Sequence, residues 1–188
     1  MVRMSLNKAH QQQLLALAKS SIVHGLQTGK PLKINLADFP AELLETRATF
    51  VTLQKQHQLR GCIGMLQAVR PLAEDIAENA FSAAFKDPRF PPLQADELDG
   101  LEIHLSILTP AEPIVFTSEQ DLLDKLQPDI DGLILEEGYR RGTFLPAVWE
   151  SLPEPRQFLR HLKQKAGLPA NYWSDTVRVS RYRADVID

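Results

Sequence analysis

Residues 59–66 read Leu59-Arg60-Gly61-Cys62-Ile63-Gly64-Met65-Leu66 and contain the single cysteine of the 188-residue chain. As a strand, the run places Leu59, Gly61, Ile63 and Met65 on one face and Arg60, Cys62, Gly64 and Leu66 on the other. The thiol and a guanidinium therefore share a face. Glycine inside a strand gives up packing and marks a bulge or a point where a ligand or another chain comes close. Gly61 and Gly64 are accordingly read as lining a ligand site. Immediately upstream, residues 48–54 form a second strand-like run, and the link Lys55-Gln56-His57-Gln58 is short and polar. An antiparallel hairpin follows, with the cysteine strand expected inside a sheet.

Moving outward, Leu14, Leu15, Leu17, Ala18, Ile22, Val23 and Leu26 recur at helical spacing from Leu6 to about Gln27, with Ser5 as N-cap and Thr28-Gly29-Lys30-Pro31 as the stop. A short helical turn is expected over residues 40–45. A second helix runs from Pro71 to Lys86, with Glu74 and Asp75 at its positive end and Leu72, Ile76, Ala80, Phe81, Ala84 and Phe85 as its apolar stripe. Asp87 to Pro92 holds three prolines and is stiff. Leu101 to Leu108 alternates as a strand ended by Pro110 and Pro113. Beyond it lie a short helix from Ser118, a hairpin whose loop spans residues 137–142, helices over 146–149 and 155–166, and a last strand near Val177–Tyr182. Strands and helices interleave without a βαβ rhythm or a nucleotide-binding glycine fingerprint, which points to an α+β protein, mostly antiparallel, with helices flanking one sheet or two closely joined subdomains.

Hydrophobic residues make up 44% and charged residues 24%, ordinary globular usage. A net charge of −3 without a basic cluster argues against nucleic acid or an anionic membrane as partner. One cysteine rules out an intramolecular disulfide and suits a reducing compartment. With no leader-like start and no long apolar run, a cytoplasmic location is expected.

Several stretches together carry a resemblance. Arg60-Gly61-Cys62-Ile63-Gly64 behind Thr49-Phe50-Val51-Thr52-Leu53, then Asp87-Pro88-Arg89-Phe90-Pro91-Pro92-Leu93, Leu101 to Pro110, Gly138 through Gly142 to Leu145-Pro146, and Phe158-Leu159 with Lys165-Ala166-Gly167-Leu168 occur in one order. This order resembles the AMMECR domain family, whose bacterial and archaeal members are called AmmeMemoRadiSam system protein A. The resemblance implies a single AMMECR-like domain over residues 1–188, with its core at roughly 14–183. It also implies a binding or accessory role beside Memo-like and radical-SAM proteins in a modification or metabolic pathway. It names no cofactor.

The residues themselves suggest an alternative: an enzyme with Cys62 as nucleophile or thiol carrier on a small anionic substrate, Arg60 favouring the thiolate, and Glu102 or His104 assisting across the sheet. Cys62 can equally be a small buried hydrophobe, and Glu102, His104 and Ser106 can equally form a solvated strand face. Arg89, Arg140 and Arg141 are the cations suited to an anion, or else to ion pairs with their neighbours. A ligand is expected in a cleft between the cysteine strand and the Asp87–Pro92 loop, next to Arg89. The other histidines show no metal-ligand spacing, so no metal is expected.

Overall fold

The computed structural model describes residues 6–188. The helices are α1 (Lys8–Thr28), α2 (Leu72–Phe85), α3 (Glu119–Lys125) and α4 (Pro155–Lys165). The strands are β1 (Thr49–Lys55), β2 (Gln58–Gly64), β3 (Leu101–Leu108), β4 (Glu112–Pro113), β5 (Gly132–Glu137), β6 (Arg140–Phe144), β7 (Arg178–Tyr182) and β8 (Ala184–Ile187). The fold is α+β, as expected. The chain divides into two compact units, one running to Leu108 and taking in Asp185–Asp188, the other Thr109–Ala184.

In the first unit the sheet order is β2-β1-β3-β8, with β1 antiparallel to both β2 and β3. The cysteine strand is thus an edge strand, not the internal one expected. A hairpin guarantees it one neighbour, β1, and the far side of β1 is taken by β3 from later in the chain. Val51, Leu53, Leu105 and Ile107 face the helices and pack with Leu14, Ala18 and Ile22 of α1 and Ile76, Ala77, Ala80 and Ala84 of α2. The small residues of α2 let it approach closely, and Gly61 shows how closely: a Cβ there would lie 2.1 Å from the Ala83 carbonyl oxygen. Helix α1 is capped by Asn7, whose side chain accepts the His10 N–H at 2.8 Å, and ends at Gly29 with φ 70. Ser5, the expected cap, lies outside the described residues.

Asp75, in the first turn of α2 as expected, is only 1% exposed. Its carboxylate accepts from Arg70 Nε at 2.7 Å, Thr49 Oγ1 at 2.6 Å and Asn79 Nδ2 at 3.0 Å. A buried carboxylate is tolerated only when its lone pairs are filled in this way, and this cluster fixes α2 against β1.

The second unit has the sheet order β4-β7-β5-β6, antiparallel at each pairing. Leu133, Leu135 and Val179 of the sheet pack with Trp149 and with Phe158, Leu159 and Leu162 of α4. The Trp149 and Phe158 rings stack with centroids 3.7 Å apart, the core role expected of both. The β5–β6 hairpin is tighter than expected: the turn is Gly138-Tyr139 with Gly138 at φ 60, and β6 already begins at Arg140. Arg140 donates to the Gly167 carbonyl, and Arg141 pairs with Glu136 at 3.3 Å. Pro113, expected to end a strand, is itself in β4, which the edge position permits because its missing N–H faces no neighbour. Nor is β7 the last strand, since β8 follows. Among the described residues no helix is long and apolar enough to cross a membrane.

Candidate functional site

Cys62 lies on the face of the first unit's sheet that turns away from α1 and α2. What places it there is a bulge. From the turn, Lys55 faces Gln58 and Gln54 faces Leu59, but Leu53 faces Gly61 and Thr52 faces Cys62, so Arg60 is the extra residue. Without it, straight counting would bring Cys62 opposite Val51, on the helix-covered face.

The outer edge of β2 is closed by side chains. Asp87 Oδ2 accepts the Cys62 N–H at 2.9 Å, and Arg89 Nη2 donates to the Cys62 carbonyl at 3.4 Å and to Asp87 at 2.8 Å. With its main-chain groups spent outward, Cys62 meets Thr52 as a non-hydrogen-bonded pair, the closer of the two cross-strand arrangements. Its Sγ lies 3.2 Å from Thr52 Oγ1. Cys62 as a residue is half-buried, and it stands on the sheet face away from the helix-covered core.

Thr52 has a second neighbour in register, His104 on β3. Cys62, Thr52 and His104 thus form one row across three strands. His104 Nδ1 lies 3.6 Å from Asp188 Oδ2, and Nε2 lies 3.9 Å from Glu102 Oε2. Glu102 in turn meets His57 Nδ1 at 3.2 Å. Nε2 of His104 is buried and has no hydrogen-bond partner. Among the described residues, no three or more of His, Cys, Asp and Glu gather to hold a metal ion.

Arg60 behaves differently from expectation. The bulge sends its guanidinium off the sheet edge, where Nε donates to Glu97 at 2.7 Å and Nη2 to the Pro91 carbonyl at 2.9 Å. That guanidinium holds the Glu97 carboxyl down at about 2, with the Gln94 N–H assisting against burial. The cation beside the thiol is Arg89 instead. Hydrogen bonds from Arg89 hold the Asp87 carboxyl well below the usual carboxylate range, against the opposing pull of burial, and Asp87 in turn raises Arg89. Where a cleft was expected between the cysteine strand and the Asp87–Pro92 loop, three donor–acceptor contacts join the two. The room beside Gly61 is filled by the Ala83 carbonyl, and that beside Gly64 by the Thr49 carbonyl and the Phe50 ring. The structure therefore brings Cys62, His104 and Glu102 onto one face and places Arg89 at its edge, while Arg60 is turned away.

Sequence reasoning missed Thr52, Glu97 and the role of Asp87 as an edge clasp. An Asp two residues before an Arg, next to proline, was a usable signal for the clasp, because such an Asp turns to accept the N–H two residues on, as Asp87 does from Arg89 at 3.0 Å. Thr52 had no such signal, since its pairing depends on the bulge.

The family model described as AMMECR1 matches residues 15–187. A protein of Methanothermobacter thermautotrophicus is 37% identical over 187 residues, covering 96% of this chain and 95% of its own length. One from Thermotoga maritima is 43% identical over 149 residues, 78% of this chain and 80% of that protein. The crystal structure of the uncharacterized protein PH0010 from Pyrococcus horikoshii superimposes with a TM-score of 0.89 at 34% identity, covering 96% of this chain and 92% of that one.

Proposed function

Since this chain belongs to the AMMECR1 family, we propose that it contributes a working thiol, Cys62, as nucleophile or carrier for a small anionic substrate. It does so as an accessory component beside Memo-like and radical-SAM proteins in a modification or metabolic pathway. The observation that carries the chemical half is the setting of Cys62. Cys62 is half-buried as a residue, its sulfur lies 3.2 Å from a hydroxyl, and it shares a sheet row with an imidazole and has Arg89 at the strand edge. A thiol gains nucleophilicity from a nearby cation and a proton acceptor, and both are within one or two strands. Arg89, at 55% side-chain exposure, supplies a guanidinium suited to a carboxylate or phosphate. The association half rests on the family resemblance.

Alkylation of the folded protein across pH tests the chemistry. Labelling of Cys62 in the folded protein at native pH is the expected result. A thiol that reacts only after unfolding contradicts it. For the association, co-purification of a complex with a Memo-like or radical-SAM protein is expected, and repeated absence of any complex at high concentration contradicts it.

A further inference from the structure

Thr52 is the one residue that lies in register with both Cys62 and His104. Its hydroxyl offers one proton and two lone pairs, and its β-branched side chain restricts where that hydroxyl can point. On one side Oγ1 is 3.2 Å from the Cys62 sulfur. On the other side His104 lies in register, and its Nε2 is buried and makes no hydrogen bond. A buried polar atom that makes no hydrogen bond is costly, so its retention calls for an explanation. Asp188 lies beside Nδ1 at 3.6 Å and Glu102 beside Nε2 at 3.9 Å; in the tautomer with its proton on Nδ1, Nε2 has a lone pair to accept.

We propose that Thr52 is a positioning residue that couples the Cys62 thiol to His104. The coupling rests on the reading of Cys62 as the working thiol. The thiol proton passes to Thr52 Oγ1 while the Thr52 hydroxyl proton passes toward His104 Nε2, directly on a turn of the ring or through one water. One proton leaves sulfur, one reaches nitrogen, threonine is restored, and no electron changes hands. The products are a thiolate and an imidazolium. Glu102 and Asp188 face the imidazolium, with His57 beyond Glu102. Arg89, itself clasped by Asp87, lies on the thiolate side, whereas Arg60 is held by Glu97.

The test uses the full chain and iodoacetamide, a neutral thiol probe, from about pH 5 to 10 for wild type, Thr52→Val, Thr52→Ser, His104→Gln and the Thr52→Val/His104→Gln pair. Wild type is expected to show a lower reactive limb in the pH range where imidazole titrates. Thr52→Val and His104→Gln should each lose that limb and slow labelling near pH 7 about tenfold or more. Thr52→Ser should retain it, and the double variant should be no slower than either single one, as befits residues acting in series. Superimposable wild-type and Thr52→Val profiles, or losses that multiply in the double variant, overturn the coupling while leaving the thiol reading intact. A wild-type thiol that never labels before unfolding overturns both.

A second readout does not depend on reactivity. The His104 ring resonances should titrate in two steps in wild type and in one in Cys62→Ala, because interacting groups share their macroscopic steps. Identical single-step curves in the two proteins overturn the coupling.

Discussion

Asp87 accepts the Cys62 N–H and is itself gripped by Arg89, so one carboxylate both covers a strand edge and sets the thiol's backbone. Its depressed pKa has a definite sign. A carboxyl lowered on folding adds stability that is fully present above its ordinary value of 3.8 and is lost as pH falls through and below it. Glu97, drawn by Arg60 from 4.5 to about 2, behaves alike, so the two contributions fade together on acidification. Solvent at the half-exposed Arg89 screens part of its share. Asp87→Asn is expected to lower stability at pH 7 by about 1–3 kcal/mol, since one weaker acceptor replaces a charge-assisted set. It is also expected to flatten the wild-type loss of stability between about pH 4 and 2. Urea midpoints at neutral and acid pH check both, and an unchanged acid slope would remove Asp87 from the account.

Among the elements, the β1–β2 hairpin is the piece whose shape governs the site. Its two-residue turn, Gln56-His57, has φ 52 and φ 61, left-handed values that suit Asn-Gly far better than Gln-His. The fold keeps this turn because the strands on either side are fixed, β1 by β3 and by the Asp75 cluster, β2 by the clasp. Replacing Gln56-His57 with Asn-Gly is expected to stabilise the protein by about 0.5–1 kcal/mol, a rise in denaturation midpoint at constant m-value. The loss of the His57–Glu102 contact subtracts little, because His57 is 89% exposed. A lower midpoint would mean that this contact, or another role of His57, outweighs the relieved backbone.

At the scale of the whole molecule, two separate apolar cores lie in two units of one chain, and the second unit is inserted between β3 and β8. Both tryptophans of the sequence, Trp149 and Trp173, belong to the second unit. Tryptophan fluorescence therefore reports on that unit, while far-UV circular dichroism reports on both. Phe158→Ala removes the ring stacked on Trp149 and should cost about 3–5 kcal/mol. The fluorescence midpoint is expected to fall further than the dichroism midpoint. Equal shifts in the two signals would show that the units unfold as one.

Periodicity and punctuation by themselves determined most of the elements. The stripe of α1, the alternation of β3, the Gly29 stop and the core roles of Trp149 and Phe158 follow from local spacing and from the need to bury apolar surface. They also brought forward Cys62, His104, Glu102 and Arg89 as residue types. Tertiary structure alone decided how these meet. One extra residue at Arg60 moves Cys62 from facing Val51 to facing Thr52, and a partner strand some forty residues on supplies His104. The same bulge turns Arg60 from the thiol toward Glu97. Register is a relation between distant segments, fixed by which face each strand must bury, and a bulge resets it by one residue, so no local reading of the chain contains it.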